Sequence, residues 1–569
     1  MHILLYVPDN QVTNNFVPQL WPFVLQRLTP KEHRVSIIDG NVRHLSAREL
    51  VDFIVQNDVS LVGMGFMTRM AQKAYSMAAA IRRETNVPIV MGGPHVTEVP
   101  NEPLGLTGHP QYADAVVLGE ADDTWPLVVR DAAAGTLQQF YQPAVIDGKD
   151  VKPSLKNYPQ VRWDQIDLSL FDLMRFVPSR AKRMLKRMGL NYDELYVVPV
   201  ESGRGCPYGC EFCTVTGFFG DQIRFRDNQN VIDELLCLKA LGKERNALVS
   251  VFFIDDNFAI NRKRTKSLLR EMIAQDACVP WIAQISMNLL RDEELVRLIA
   301  ESGGRWIFMG LESIDPGSLK VANKSFNKPG EYAEILNLLA KYELYAITSF
   351  IFGMEGDRPG VSENTYRQVD NWPPGLPVFG ILTPYPATPL YDRLQREGRL
   401  TRPEHWLDFQ AFKAAYIPKG LSADQAEEEV RRAWEHCYSS AAFRRSQDWL
   451  RRNRKSYGYQ VMHFVTRMLF RGIYFPQLTR WAWIKLLARN YRTIGNLVFQ
   501  GLRSQRRARR KPSDAPTLAR TPAGGASRVL RESDLKGMVR EAPVWKASES
   551  LGEGEEPRRE SVPTQSRLT

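Results

Sequence analysis

No stretch of this sequence approaches the roughly 20 consecutive apolar residues that a membrane-crossing helix needs. No G-x-x-x-x-G-K-[ST] occurs, which removes the phosphate-cradling loop of nucleotide hydrolases. No G-x-G-x-x-G follows the first predicted strand, which argues against a nicotinamide dinucleotide. Cysteine is scarce, with six in 569 residues. Together with the lack of a signal peptide, that scarcity argues against a disulfide framework and for a reducing, cytoplasmic setting.

Half of the cysteines stand together. Ser202-Gly-Arg-Gly-Cys206-Pro-Tyr-Gly-Cys210-Glu-Phe-Cys213 spaces three thiols as C-x3-C-x2-C, with Phe212 just before the last. Three thiolates so spaced can hold three irons of a [4Fe–4S] cluster and leave the fourth open to chemistry, whereas full protein ligation suits electron transfer. Zinc is the rival ion. A structural zinc site uses four Cys or His ligands, however, and Cys237, Cys278 and Cys437 are scattered singly. Gly203, Gly205 and Gly209 let the backbone wrap closely round a cluster.

The trio resembles the cluster motif of the radical SAM superfamily. The resemblance implies that S-adenosylmethionine (SAM) chelates the open iron and is cleaved there on reduction.

Downstream, apolar runs alternate with helical patterns. Val249–Ile254, Trp281–Met287, Trp306–Gly310 and Tyr345–Phe352 read as strands, and Thr265–Gln275, Asp292–Ser302 and Glu331–Tyr342 as helices. This rhythm predicts a partial barrel, whose site lies at the C-terminal strand ends. Asp255, Asp256, Asn257, Gln284, Ser286, Glu312 and Gly353 fall there. Helix capping or an ordinary loop position is the plain alternative for each. As an ordered series they resemble the cobalamin-dependent branch of the family. Gly310-Leu-Glu312-Ser313 matches its glycine-x-glutamate-serine segment after the fourth strand. The resemblance implies SAM contacts from Phe212, Gln284, Ser286, Glu312 and Gly353, with Asp357 near a position where glutamate is common.

The first 140 residues read as a separate unit. Predicted strands at His2–Tyr6, Arg34–Ile38, Leu61–Gly65, Val87–Met91 and Ala115–Leu118 alternate with helices at Ala47–Gln56 and Met70–Thr85, and a polar loop follows the first strand. This is a doubly wound, Rossmann-like sheet with its crevice at the C-terminal strand ends. It looks like the cobalamin-binding domain found before radical SAM barrels. Gly92, Gly93, Gly119 and Glu120 stand where the resemblance implies cobalamin contacts. The D-x-H-x-x-G segment that supplies a cobalt-ligating histidine in many such domains is absent, and Asp39-Gly-Asn41 lacks the histidine. His95 reads as a loop residue rather than a ligand.

Residues 141–195 connect the units. Trp163, Leu168, Phe171 and Met174 make this stretch too apolar for a free linker, and its 180–187 part is basic. Acids are almost missing from 444–511, where eighteen Lys and Arg face the single Asp448, about +17, among eleven aromatic residues. Lys485, Arg489 and Arg492 fall on one helical face and Ile484, Leu487, Tyr491, Ile494 and Val498 on another. Such a segment reads as a helix lying on anionic lipid. Its rivals are a helix docked on the barrel with a solvated basic face, and a nucleic-acid contact, the weakest of the three because no nucleic-acid module occurs. Beyond Lys511 the composition predicts disorder.

The expected architecture is therefore α/β: a cobalamin-binding unit at 1–140, a connector at 141–195, a partial (β/α)6 radical SAM barrel at 196–420, a helical basic-aromatic extension at 421–505 and a disordered tail at 506–569. The expected cofactors are a [4Fe–4S] cluster held by Cys206, Cys210 and Cys213, SAM and cobalamin. The resemblance implies a methyltransferase acting on an unactivated carbon. Phe218-Phe219-Gly220 and the long extension resemble hopanoid-lipid methylases, which implies a hydrophobic substrate, a reductant such as flavodoxin or ferredoxin, and contact with the inner face of a membrane. A radical cyclase or carbon–carbon coupling enzyme is the runner-up. An iron–sulfur electron carrier or B12 sensor is the alternative outside that class, and it would want a fourth cysteine beside the trio.

Overall fold

Two six-stranded sheets organise the chain. The computed structural model describes residues 1–10, 17–146, 149–177, 179–187, 189–410, 412–473 and 480–509. The predicted disordered tail lies outside these residues from position 510 onward, as do Tyr474 and Phe475 of the aromatic segment.

The first sheet contains β1 His2–Val7, β2 Arg34–Asp39, β3 Leu61–Gly65, β4 Ile89–Gly92, β5 Ala115–Val117 and β6 Phe140–Tyr141. Its order is β2-β1-β3-β4-β5-β6, and every pair is parallel. All of β1 is buried. Leu4 and Tyr6 join one apolar core while Ile3 and Leu5 join another on the opposite face, as a sheet covered on both sides requires. The stretch after β1 is not all loop, because Leu20–Leu28 forms a helix. Its Pro22 sits in the first turn, where the missing N–H breaks no helical hydrogen bond.

The second sheet contains β7 Glu194–Val200, β8 Ala247–Phe253, β9 Trp281–Gln284, β10 Gly304–Glu312, β11 Tyr345–Phe352 and β12 Leu376–Ile381, in the order β12-β11-β10-β9-β8-β7. Every pair is again parallel, with helices between successive strands. This is the expected partial barrel. β9 is shorter than its apolar run, since Met287–Arg291 turns into a 3-10 helix. The connector packs as expected: Trp163, Leu168 and Phe171 enter the main core, and the Trp163 indole N–H donates to Glu234 at 2.7 Å.

The C-terminal extension divides into two parts. Helices Ser440–Arg452 and Tyr457–Ile473 are structural. On β10, Ile307, Met309 and Leu311 face the main core, while Trp306 and Phe308 face Leu450 and Tyr459. The Tyr459 ring stacks on Tyr345 at 3.8 Å between centroids. Over this part the docked-helix alternative holds. The expected single helix across Trp481–Val498 is instead two, Arg480–Arg489 and Tyr491–Arg509. Between them the Asn490 amide donates to the Leu486 carbonyl at 2.9 Å, a side-chain bond that competes with continuation of the helix. Among the described residues, no helix is long and apolar enough to cross a membrane.

Candidate active site

Asp255 and Asp256 follow β8 after the single residue Ile254. Asp255 accepts hydrogen bonds from the Ser202 backbone N–H at 2.7 Å and the Ser202 hydroxyl at 2.6 Å. Asp256 accepts from the Gly205 N–H at 2.9 Å. The pair therefore fixes the backbone that leads into Cys206. Burial pushes Asp255 up to about 6 and Asp256 up to about 7, against the hydrogen bonds that hold them down.

The cysteine loop is held by contacts that use no thiol. The Cys206 N–H donates to the Gly220 carbonyl, the Glu211 N–H to the Ala322 carbonyl, and the Leu390 N–H to the Glu211 carbonyl. Asn323 donates to the Gly209 carbonyl at 2.5 Å. Arg393 grips the Glu211 carboxylate through two nitrogens, at 2.5 and 3.0 Å. Tyr208 stacks on Phe326 with centroids 4.2 Å apart and accepts from Asn288 at 2.9 Å. The thiols themselves are half-buried. Burial pushes all three up, Cys210 to about 11, and the Lys324 ammonium is the cation that opposes this.

Lys324 was not legible as a site residue. It donates to Glu312 at 2.5 Å and lies 5.7 Å over the Phe212 ring. Glu312 ends β10, the fourth strand of its sheet, as the glycine-x-glutamate-serine resemblance requires. It has a φ of +64°, and the pairing with β11 shifts register between Gly310 and Glu312. Such an irregularity re-aims a side chain. Asn327 secures it by donating to the Gly310 and Leu311 carbonyls.

The other residues predicted to contact SAM fall in two places. Gly353 follows β11 with a φ of +89°; its carbonyl accepts from Tyr416 at 2.5 Å, and Tyr416 shares a small apolar cluster with Phe212 and Ile351. Asp357 is buried and accepts from the Gly353 and Met354 N–H groups. Gln284 and Ser286 lie instead at the end of β9. The Ser286 hydroxyl accepts from Asn257 at 2.7 Å, and the Gln284 carbonyl accepts from the Phe258 N–H. Thus Phe212, Glu312 and Gly353 gather about the Lys324 side of the loop, and Gln284 and Ser286 about the Asn257 side.

A cavity of about 380 Å³ opens where the C-terminal strand ends of the first sheet meet the cysteine loop's flanks. Gly92, Gly93, Gly119 and Glu120 line it, together with Trp21, Phe66, Phe218, Phe219 and Asp256. Gly93 has a φ of +94°, and a Cβ there would stand 2.8 Å from the Phe66 backbone nitrogen; the close turn admits no side chain. At Gly119, by contrast, a Cβ would find only Pro143 within 4 Å.

Glu120 lines this cavity but is not free. Its carboxylate accepts from Arg204 at 2.6 Å and from Arg224 at 2.7 and 3.0 Å. Arg204 also reaches Asp122 at 2.8 Å and Glu201 at 2.9 Å. Glu201 is buried, and among the described residues its Oε2 atom has no hydrogen-bond partner. His95, expected on a loop, lies on the short helix Pro94–Glu98 and is wholly buried. Tyr75 and Thr68 occupy its two ring nitrogens at 3.2 and 3.3 Å, so it does not face the cavity as a ligand.

These residues fit the implied groups. Raised thiols beside one ammonium favour the thiolate only when more positive charge arrives, as iron supplies. Among the described residues, no three His, Cys, Asp or Glu converge as on one metal ion. The glycine-lined cavity with an orphaned carboxylate oxygen suits a large, flat ligand bearing hydrogen-bond donors.

Comparison with known proteins agrees. Residues 200–367 match the radical SAM superfamily and residues 10–129 the B12 binding domain. The chain is 28% identical over 395 residues to bacteriochlorophyllide d C-8(2)-methyltransferase of Chlorobaculum tepidum, covering 68% of this chain and 78% of that one. It is 25% identical over 458 residues to the hopanoid C-2 methylase of Rhodopseudomonas palustris, covering 80% and 75%. Among solved structures, the cobalamin-dependent SAM radical enzyme OxsB with aqua-cobalamin bound superposes with a TM-score of 0.56 at 12% identity, over 89% of this chain and 80% of that one.

Proposed function

We propose that this chain, a cobalamin-dependent radical SAM enzyme, is a methyltransferase acting on an unactivated carbon of an apolar, hopanoid-like substrate. One observation carries the reading. The cavity joins the strand ends of the B12-type sheet to both flanks of the cysteine loop, and its walls are mainly apolar: Leu20, Trp21, Val24, Met64, Phe66, Phe218 and Phe219. In this reading residues 1–140 hold cobalamin, and residues 196–420 hold the cluster and SAM.

The bound cofactors supply the methyl group and the hydrogen-abstracting radical. What the protein supplies is position and dryness. Cys206, Cys210 and Cys213 hold the cluster. Asp255 and Asp256 fix its loop from β8, and Asn323 and Arg393 fix it from the far side. Glu312, Gly353 and Phe212 hold SAM on the Lys324 side, and Gln284 and Ser286 hold it on the other. Gly92, Gly93 and Gly119 bring the backbone against the corrin. Phe218 and Phe219 help keep water from the reacting carbon. A reductant such as flavodoxin or ferredoxin delivers electrons, and the basic extension brings the enzyme to a membrane surface.

The test is anaerobic reconstitution with iron, sulfide, cobalamin and methyl-deuterated SAM, followed by mass spectrometry of lipid extracts. Gain of a deuterated methyl group supports the proposal. A product with no added carbon overturns it in favour of a cyclase or coupling enzyme.

A further inference from the structure

Three helices gather positive charge at one place. Ser179–Arg187 carries five Lys and Arg, Arg480–Arg489 and Tyr491–Arg509 add Lys485, Arg489, Arg492 and Arg503, and none of the three carries an acid. The first belongs to the connector, some three hundred residues before the others. It has no buried residue, yet its Met184 packs with Leu190 against the cluster of Phe443, Phe464 and Leu497 that also receives Leu486, Ile494 and Val498. The connector helix and the extension therefore form one surface.

Tyr491–Arg509 is apolar on two sides. Ile494, Leu497 and Val498 face inward. Tyr491, Phe499 and Leu502, which recur at near-helical spacing, are 62%, 54% and 39% exposed. The preceding helix adds Trp481, Ile484 and Leu487 at 74%, 47% and 40%. Arginines rim the exposed rings: Arg492 lies 5.6 Å over Tyr491 and Arg503 4.3 Å over Phe499.

We propose that this composite face is the site at which the enzyme rests on an anionic lipid bilayer, with Trp481, Ile484, Tyr491, Phe499 and Leu502 entering the interface and Arg180, Arg183, Arg492 and Arg503 facing lipid phosphates. The occupant follows from chemistry. Exposed aromatic and aliphatic side chains ringed by cations match a surface that is apolar within and negative at its boundary. A nucleic acid would use the cations and leave the apolar stripe in water. The chain's own residues 510–569 hold eleven Lys and Arg against nine Asp and Glu, so they offer the basic face no complement. This inference deepens the reading of an apolar substrate, because a bilayer is where such a substrate resides. Its test measures binding without turnover and so fails or succeeds separately.

The reconstituted full-length protein is sedimented with vesicles of phosphatidylglycerol and phosphatidylcholine, or of phosphatidylcholine alone. Binding is expected to be about tenfold or more tighter to the anionic vesicles and to weaken as salt rises. Arg183→Glu with Arg492→Glu should reduce it about tenfold. Trp481→Ser with Phe499→Ser should reduce binding at high salt, where insertion carries more of it, with the melting temperature unchanged in both variants. Failure to bind anionic vesicles would overturn the proposal, and so would displacement of the vesicles by duplex RNA at equal phosphate, which would make the face a nucleic-acid site.

Discussion

Arg204 and Glu120 lie 84 residues apart in the chain and 2.6 Å apart in space. Glu120 belongs to the glycine turn that lines the cavity proposed for cobalamin, and Arg204 stands two residues before Cys206. Their ion pair is almost fully buried, so one guanidinium ties the glycine turn of the cavity to the strand that leads into Cys206. Removing one partner of such a pair leaves an unpaired buried charge, at a cost of about 3–5 kcal/mol. Arg204→Ala is expected to lower the melting temperature and to lose both cobalamin and cluster. Arg204→Lys keeps the charge but not the planar fork that reaches Glu120, Asp122 and Glu201. It should fold and bind cobalamin more weakly, which titration by absorbance will read.

Cys206→Ala, Cys210→Ala and Cys213→Ala should each abolish the intact cluster and SAM cleavage, since each thiolate holds a different iron. Replacing Cys237, Cys278 or Cys437 should leave iron and sulfide content unchanged. Retention of four irons and SAM cleavage after loss of the whole trio would refute the assignment.

Two glycines that line the same cavity separate folding from cofactor binding. Gly93→Val is a poor probe of the corrin, because its Cβ meets the Phe66 backbone whether or not a corrin is bound, so the variant should simply unfold. Gly119 has a φ of +67°, a conformation asparagine tolerates, and open space beyond it. Gly119→Asn should keep its melting temperature and iron content while cobalamin affinity falls by about tenfold or more. Unchanged cobalamin stoichiometry would remove the corrin from this cavity.

Asp357 is 2% exposed. Burial pushes its carboxyl from 3.8 up to about 7, beyond what its two backbone hydrogen bonds hold down. Between those values the folded state binds the extra proton. The wild type therefore loses stability as pH rises from about 4 through 7, by an amount on the order of a few kcal/mol. Asp357→Asn lacks this titration. Its melting temperature relative to wild type should climb across that window and level off above it, and a flat difference would contradict the assignment.

Tyr459→Ala should cost about 3–5 kcal/mol, as truncation of a buried aromatic does, whereas Trp481→Ala should stay within about 0.5 kcal/mol. Ending the chain after Phe443 would strip Leu450 and Tyr459 from Trp306 and Tyr345, so this truncation should aggregate. A soluble, cofactor-loaded product would make the whole extension dispensable.

Much of the fold was legible because the central strands are written in unbroken apolar residues. β7 and β12 were not recognised as strands. Each is an edge strand and each contains a proline, Pro199 or Pro377. Proline is tolerated at an edge, where one side of the strand makes no ladder, and in a sequence it speaks against a strand. The cysteine loop and the Asp255-Asp256 pair were visible because their chemistry is local. Arg204, Lys324 and Asn323 were not, since each acts on a partner brought near by the fold, and nothing in their immediate sequence distinguishes them from surface polar residues; Glu201 pairs locally with Arg204, but only its burial marks it out. The basic extension misled in part for a related reason: its composition is uniform, while half of it buries one face against the barrel.

The cysteine loop is held by Asp256, Asn323, Glu211–Arg393 and the Tyr208–Phe326 stack, and not one of these bonds passes through sulfur. Loss of iron to oxygen is therefore expected to leave the loop folded. Damage to the cluster is damage to a replaceable part: refilling requires iron, sulfide and reduced thiols but no refolding, so an enzyme inactivated by air is a candidate for repair rather than for proteolysis.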